Sequence, residues 1–346
     1  MKQYFTLLTI LFFTFQSVAE EACSKEKSTD SLATHDHASH RASYAPAGIM
    51  GDHQHGKGSL MFTYRFMYMD MGGLRAGDSR TSFADHSGMP MAGKYPVLPR
   101  DMQMEMHMFG LMYGLTDKQT LTVMVPYVRN IMDHTTRMGA DFDTESDGLG
   151  DITVGLLHEL YKEKNWDVQL KLAFGAPTGS IKSIDNTPMG NGQTLPYPMQ
   201  IGSGSWSFKP AITASYLEDE WSYGAQLAGT FFMGTNNSGY RRGEVLTANV
   251  WAGRDITKKL RGTLRLQATN EGDYHGDNPV LNEAMIPTAD NQLRGRFRMD
   301  LFPGLDYAFT DKHRLAVEVG LPVYEKVDGV NLETDLTLNV TWQTRF

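Results

Sequence analysis

The sequence predicts an all-β protein, an up-and-down antiparallel transmembrane β-barrel of about twelve strands, preceded by a disordered N-terminal segment. Three observations predict this fold. Apolar and polar residues alternate along many short segments, as they do in strands with one apolar and one polar face. Short and long connections between these segments alternate as well. Aromatic residues gather at the segment ends, where a bilayer-spanning barrel has its interfacial girdles.

Residues 1–19 have the three parts of a secretory signal peptide. Lys2 supplies a positive charge, an apolar run covers residues 4–15, and a cleavage site ends at Ala19. The apolar run is too short to cross a bilayer as a helix. We therefore expect residues 1–19 to be removed on export, with lipoprotein processing at Cys23 as the alternative.

Residues 20–58 form a second segment, which is polar, rich in His and Ser, and without periodicity. It holds too few apolar groups to offset the entropy lost on ordering the chain. We expect it to be a mobile, His-rich periplasmic tail or a plug that adds little to the stability of the barrel. The barrel itself is predicted to occupy residues 59–346.

Composition excludes several classes of protein. The formal net charge of −8 argues against a general nucleic-acid binder. One cysteine cannot form an intrachain disulfide. Beyond the leader no stretch of 18 apolar residues exists, so the sequence predicts no spanning helix and any membrane insertion must use strands.

The C-terminal segment shows the strand pattern most clearly. In residues 332–346, Leu336, Leu338, Val340 and Trp342 fall on one face, and polar residues occupy the other. Eleven earlier segments repeat the alternation at lengths suited to crossing a bilayer. The apolar faces of the twelve predicted strands lie at 60–68, 109–113, 121–127, 152–156, 166–174, 206–216, 221–231, 246–250, 260–266, 297–307, 315–321 and 332–346.

The predicted connections alternate in length. Short turns lie near 115–119, 161–165, 218–220, 256–259 and 310–312. Long loops lie near 70–101, 132–148, 177–204, 233–243, 270–292 and 322–331. Bacterial barrels place short turns in the periplasm and long loops outside. We therefore expect the Gram-negative outer membrane as the location, with both termini periplasmic and with lipid and lipopolysaccharide as contacts. A secreted β-sandwich or a soluble barrel is the alternative.

Several runs of sequence resemble one family of Gram-negative outer-membrane proteins. They are MGDHQHGKGSLMFTYRFMYMDM (50–71), DMQMEMHMFGLMYGLTDKQTLTVMVPY (101–127), MDHTTRMG (132–139) and DGLGDI (147–152). Members of the family are labelled phenol-degradation meta-pathway proteins or simply "transporter". The resemblance implies a small outer-membrane barrel that passes small, often apolar molecules and has no catalytic residues. The terminal Phe346 also resembles the signal by which the barrel-assembly machinery recognises its substrates.

Methionines are concentrated near the start of the predicted barrel, where 15 of the 21 lie between Met50 and Met138. On the second predicted strand they share the face opposite Phe109 and Leu111. If those apolar residues meet lipid, the methionines face the lumen, together with methionines of the first and third strands. We call this set the methionine wall: Met61, Met67, Met69, Met102, Met104, Met106, Met108, Met112, Met124 and Met132.

The methionine wall has three interpretations. Thioethers are soft ligands suited to Cu(I), with Met104, Met106 and Met108 as candidate ligands. Methionine also makes a pliable apolar surface that adapts to varied solutes. It also packs well beneath folded loops. The sequence leaves the three open.

A second candidate metal site is the histidine cluster of residues 20–58. Imidazoles in the periplasm suit Cu(II), although the spacing is not that of a structural zinc site. The alternative is a solvated tail without a ligand. No cofactor is required by the predicted fold, and Cu(I) or Cu(II) enters only through these two sets of residues. The candidate histidines are His35, His37, His40, His53 and His55.

Basic residues fall on the inward faces of the ninth to eleventh predicted strands. Such a wall favours anions in the lumen, or it forms part of a salt-bridged plug in a narrow barrel. Asp300 and Glu318 on the same faces offer partial neutralisation. The basic residues are Arg261, Arg265, Arg294, Arg296, Arg298 and Arg314.

Two motifs carry less weight. Residues 141–148 (DFDTESDG) resemble a calcium loop, but Val154 stands where the closing glutamate is needed. Asp85, His86 and Ser87 suggest a hydrolase, but no predicted strand fixes a nucleophile beside a base. We therefore expect a non-enzymatic channel or transporter for a small, aromatic or apolar solute. A copper-handling barrel is the second hypothesis and an outer-membrane hydrolase the third.

Overall fold

The computed structural model describes residues 45–87 and 95–346. The predicted leader and three of the candidate metal ligands, His35, His37 and His40, lie outside these residues. Within them, no helix is long and apolar enough to cross a membrane. The elements are β1 (Leu60–Gly77), β2 (Ser79–Thr81), α1 (Phe83–Ser87), β3 (Val97–Thr116), β4 (Gln119–Thr136), β5 (Asp141–Leu149), β6 (Thr153–Glu163), β7 (Trp166–Gly175), β8 (Ile184–Thr187), β9 (Gly190–Thr194), β10 (Trp206–Glu218), β11 (Trp221–Met233), β12 (Tyr240–Arg241), β13 (Val245–Asp255), β14 (Leu260–Glu271), β15 (His275–Gly276), β16 (Arg296–Ala308) and β17 (His313–Arg345). Three short 3₁₀ turns cover Tyr197–Met199, Pro287–Ala289 and Asn291–Leu293.

Eleven of these strands close into one antiparallel barrel. Each pairs with the next barrel strand along the chain, and pairing of β17 with β1 completes the ring. Closure leaves no open edge, so the backbone hydrogen bonds of the ring are satisfied without water. Short β2 and β5 add to β1 and β4 outside this path. In chain order the barrel strands are β1, β3, β4, β6, β7, β10, β11, β13, β14, β16 and β17.

Strand β17 is 33 residues long and folds back on itself. Its residues 314–327 pair with β16, and its residues 327–345 pair with β1. The backbone N–H of Arg345 donates to the carbonyl of Lys312 at 3.0 Å, so the two ends meet. The turn between the legs has Gly329 at a φ of 62°, a conformation open to glycine. Counted as two legs, β17 brings the barrel to twelve strands, and the predicted fold class is confirmed.

The distribution of polarity is inverted relative to that of a soluble protein. Leu227, Val250 and Leu305 are 63%, 52% and 54% exposed on the outer face, whereas Gln169 and Glu318 are each 1% exposed inside. An apolar outer belt around a polar interior is the signature of a barrel that spans a bilayer. A β-sandwich with an apolar core is therefore the wrong alternative.

The two ends of the barrel differ as the sequence predicts. At one, the short-turn end, two-residue connections such as Lys164-Asn165 and Asp219-Glu220 join neighbouring strands. At the other, the long-loop end, most of the connections are long. Two predicted loops are wrong: residues 132–148 continue as β4 and β5, which pair beyond the barrel, and residues 322–331 are the paired legs of β17 with a tight turn between them. Residues 141–148, which resemble a calcium loop, are therefore an extended strand. Their pairing with β4 uses the backbone carbonyls that a calcium loop would direct toward the ion.

Candidate functional site

The register of the first three barrel strands places the methionine wall on the inner face. Met106 of β3 lies opposite Met67 of β1, and Met104 lies opposite Met69. On the outer face, Tyr113 is 42% exposed. Because side chains alternate along a strand, the remaining even-numbered methionines of β3 also point inward. The wall divides into three parts, which have different neighbours.

The part nearest the long-loop end packs beneath folded loops. Met102 and Met132 are fully buried in an apolar cluster with Leu98, Leu195 and Met199. Leu195 and Met199 belong to the loop between β9 and β10, which covers the lumen at this end. Met102 and Met132 therefore pack against the loop, as one interpretation of the wall predicts, and they also line the edge of the neighbouring cavity.

The middle part of the wall lines a cavity of about 350 Å³. Met69, Met104 and Met106 form one side of it. Tyr197, from the loop between β9 and β10, and Tyr274, from the loop between β14 and β15, contribute another. We call these two loops the covering loops. Tyr197 and Tyr274 contact each other edge to face with ring centroids 5.2 Å apart. The cavity therefore combines thioethers and aromatic rings in a space of the size that binds small organic ligands.

The rest of the wall lies nearer the short-turn end and does not line this cavity. Met108 is opposite Arg65, and Met112 is opposite Met61. Met124 is in register with Gly110. Of the candidate lumen residues, the cavity brings together Met69, Met102, Met104, Met106, Arg294, Arg296 and Arg298, whereas Met67, Met108, Met112, Met124, Arg261, Arg265 and Glu318 lie elsewhere.

Most of the predicted basic wall is ion-paired. Arg265 binds Glu318 through two hydrogen bonds of 3.0 and 3.1 Å, and its guanidinium carbon lies 3.8 Å from the centroid of the Phe302 ring. Arg261 Nε lies 3.8 Å from Asp255 Oδ1. These pairs fit the interpretation of a salt-bridged narrow barrel. Arg294 was predicted on a strand, but it follows a 3₁₀ turn before β16.

Residues 45–58 form a loop inside the barrel, which we call the plug. Gly48 N donates to Glu318 Oε2 at 2.5 Å, and Arg65 Nη2 donates to the carbonyl of Ile49 at 2.9 Å. Gln226 Nε2 donates to the carbonyl of Met50 at 3.1 Å. Barrel strands from opposite sides of the lumen therefore hold the plug. The expectation of mobility does not describe these residues, because their backbone groups are bonded to inward side chains.

Arg65 is a site residue that the sequence prediction missed. Besides Ile49, its guanidinium contacts the hydroxyl of Thr341 at 3.1 Å. A signal was present in the sequence, because Arg65 lies two residues before Met67 and shares its inward face. The plug lies beside Arg65, whereas the cavity begins at Met69, farther toward the long-loop end. The cavity thus lies between the plug and the covering loops.

The two described candidate histidines belong to the plug. His53 Nδ1 lies 3.0 Å from Asp52 Oδ1, and the rings of His53 and His55 meet edge to face at 4.9 Å. Burial lowers the pKa of His55 to about 3, so its imidazole is neutral at physiological pH. Burial opposes ionisation of Asp52 as well, but the His53 charge and hydrogen bond lower the pKa of that carboxyl to about 2.

The structure does not bring the histidines to the methionine ligands. His55 N donates to Thr120 of β4 at 3.0 Å, whereas Met106 is opposite Val128 of the same strand. Eight residues of strand correspond to about 25 Å. Within residues 45–87 and 95–346, no group of three or more His, Cys, Asp or Glu side chains is arranged to hold a metal ion.

The hydrolase-like residues lie on α1, outside the barrel wall. His86 Nε2 is 2.9 Å from Thr81 Oγ1, and Asp85 Oδ2 accepts from Ser82 Oγ at 2.7 Å. Ser82 and Asp85 therefore form a capping box at the start of α1, in which Asp85 Oδ2 also accepts from the N–H of Ser82 at 3.2 Å. His86 contacts a threonine at the edge of β2.

Comparison with known proteins gives one family and several structures. The model of the family described as "Putative MetA-pathway of phenol degradation" matches residues 92–326, about two thirds of the chain. No curated protein matches the chain. An outer-membrane channel of Pseudomonas putida F1 is similar over 91% of this chain and 100% of its own, at 13% identity and a TM-score of 0.57.

Two other solved structures are more distant. The toluene transporter TodX of Pseudomonas putida matches at 10% identity and a TM-score of 0.43, covering 84% of this chain and 91% of its own. A FadL homologue of Pseudomonas aeruginosa matches at 11% identity and a TM-score of 0.40, covering 83% and 90%. Of these three structures, the first supports the barrel fold.

Proposed function

We propose, from the premise that this chain belongs to the family described as "Putative MetA-pathway of phenol degradation", that it is an outer-membrane channel for a small solute with an apolar part. The apolar outer belt and the unequal ends support insertion with the short-turn end in the periplasm. The chain termini would then lie on the periplasmic side, and lipid, lipopolysaccharide and the barrel-assembly machinery are the expected contacts.

The observation that carries this proposal is the cavity between the plug and the covering loops. Its methionine side adapts to apolar groups of different shape, and its volume of about 350 Å³ suits a small organic molecule. The cavity is lined by inward residues of barrel strands from β1 to β4 and from β14 to β17, so we expect a solute that crosses the barrel to pass through it. Passage to the short-turn end requires the plug to shift. The plug is held mainly by hydrogen bonds rather than by a large apolar interface, which favours such a movement.

Filling the cavity should reduce conduction. Met106→Trp adds a large ring to the cavity wall, and we expect a clear drop in single-channel ion current in planar lipid bilayers. Leu111→Trp is the matched control, because it lies on the same strand with its side chain toward lipid. If the wild type and Met106→Trp give current steps of the same size, the cavity does not lie on the path of the conducted ions. Absence of any current from the wild type would contradict the channel itself.

Copper handling is the second candidate function, and the register of the methionines favours it. Met67 with Met106, and Met69 with Met104, are directly opposed pairs, which places thioethers side by side as Cu(I) prefers. Met69, Met104 and Met106 line the cavity described above, and four arginines line it too. Their positive charge weakens the attraction of the cavity for a cation, so this function ranks second.

Replacing Met104, Met106 and Met108 together by Leu tests the copper function. Leucine keeps the size and apolar character but removes the sulfur. If the wall binds Cu(I), the triple variant should fold and lose Cu(I) or Ag(I) binding, measured by competition with a chromophoric chelator. A wild type that does not compete with the chelator contradicts this function.

A further inference from the structure

The lining of the cavity is basic as well as rich in methionine. Arginines outnumber carboxylates by four to one among the lining residues, which are otherwise methionine, aromatic, aliphatic or neutral polar. This excess matters only if the positive charges are not neutralised by neighbours. The charged lining residues are Arg242, Arg294, Arg296, Arg298 and Glu271.

Two of the four arginines have carboxylate partners. Arg296 Nη1 lies 3.1 Å from Glu325 Oε1, and Arg298 Nε lies 2.8 Å from Asp300 Oδ2. Both carboxylates are inside the barrel wall and almost fully buried. The charges of Arg296 and Arg298 are therefore balanced without a ligand.

The other two arginines are held by neutral oxygens. Arg242 Nη2 donates to the carbonyls of Gln200 and Gly202 at 2.8 and 2.7 Å. Arg294 Nη2 donates to Asn331 Oδ1 at 2.6 Å. In the part of the chain that the structure describes, no carboxylate forms an ion pair with either guanidinium. Carbonyl and amide oxygens fix the direction of these groups and leave both guanidinium groups without a directly bound anion.

Asp151 and Glu271 attract Arg242 through space, and Asp273 and Asp290 attract Arg294, but among the described residues none of these carboxylates is in ion-pair contact with either guanidinium. Asp273 Oδ1 accepts from the N–H groups of Arg294 and Gly295 at 2.9 and 2.6 Å. Asp151 accepts from the N–H of Ser203 at 2.9 Å. Burial lowers the pKa of Arg294 to about 10, which still leaves it charged at neutral pH. A buried donor without a hydrogen-bond partner, Nε of Arg242, is also present at this wall.

We infer that the cavity binds small monoanions with an apolar body, in particular carboxylates carrying one or two rings, with the carboxylate at Arg242 and Arg294 and the rings on Met104 and Met106. The fork of a guanidinium matches a carboxylate, and thioethers pack against aromatic rings. A cavity of about 150 Å³ is sufficient for benzene, so about 350 Å³ holds a larger ring system with its carboxylate. This inference rests on the proposed channel function and names the class of solute.

Three probes of similar size and different charge test it: benzoate, benzyl alcohol and benzylammonium, titrated into the purified full chain by calorimetry. We expect benzoate to bind about tenfold more tightly than benzyl alcohol, because charge-assisted hydrogen bonds exceed neutral ones, and benzylammonium to bind least. The double variant Arg242→Gln and Arg294→Gln should lose the preference for benzoate and keep its affinity for benzyl alcohol. Arg254→Gln is the control, since Arg254 lies at the short-turn end, half exposed over Trp221.

Equal binding of the three probes by the wild type, or tighter binding of benzylammonium, overturns the inference without any variant. A preference for benzoate that survives in the folded double variant overturns the assignment to these two arginines. Single-channel current is measured separately. If the wild type conducts current but does not prefer benzoate, the channel function is supported and the proposed class of solute is wrong. If it binds benzoate but conducts no current, the channel function is wrong.

Discussion

Deleting residues 45–57 is expected to raise the single-channel conductance of the barrel several-fold. The plug bonds to side chains on opposite walls of the lumen, including Glu318, Gln226 and Thr120, so its removal opens the path from the cavity to the short-turn end. The barrel itself should remain folded, because the Arg265–Glu318 pair and the strand register do not depend on the plug. Retention of the heat-modifiable band on a cold gel measures folding.

A point variant gives the same test with a closely matched control. A Cβ at Gly48 would lie 2.2 Å from Arg265 Nη2 and 2.8 Å from Glu318 Oε2, whereas a Cβ at Gly56 meets nothing within 4 Å. Gly48→Leu should therefore displace the plug and raise the conductance, and Gly56→Leu should not. If the deletion and Gly48→Leu both conduct like the wild type, the plug does not limit passage.

Leu266→Arg is expected to abolish assembly of the barrel. Leu266 is flanked on the lipid face by Val250 and Leu301 of the adjacent strands, near the middle of β14. An arginine at the bilayer midplane of a barrel costs about 2–4 kcal/mol, a large share of the stability of a small domain. Leu266→Val keeps the apolar surface and should assemble normally. Folded Leu266→Arg in membrane fractions, in amounts like those of Leu266→Val, would contradict the assigned lipid face.

The strands were predictable because their pattern is local. A residue that alternates with its neighbours between lipid and lumen shows its face in the sequence itself, which is why the inward side of Met104 and the outward side of Leu338 follow from period two alone. The short turns were predictable for the same reason. The β4–β5 extension was missed because polar strands outside the membrane lack an apolar face to mark them.

The plug and half of the basic site were not predictable from local pattern. The plug offers mainly backbone carbonyls and amides, which every sequence carries, to side chains such as Arg65 that lie elsewhere in the chain. Arg242 belongs to a loop, and only the fold brings it beside Arg294. Whether the charge of an arginine is neutralised depends on which carboxylates contact its guanidinium. Those contacts are set by the register between strands that are distant in the sequence.

The closure of the barrel constrains the order in which the protein is made. β1 and the second leg of β17 are neighbours in space but lie at opposite ends of the barrel sequence, so the ring cannot close until the last residues have been delivered. The plug touches both sides of this seam, through Arg65 on β1 and through Thr341 on β17. It therefore bridges the first and last strands of the ring from the inside. Plug contacts of this kind add to the stability of the seam once the ring has closed.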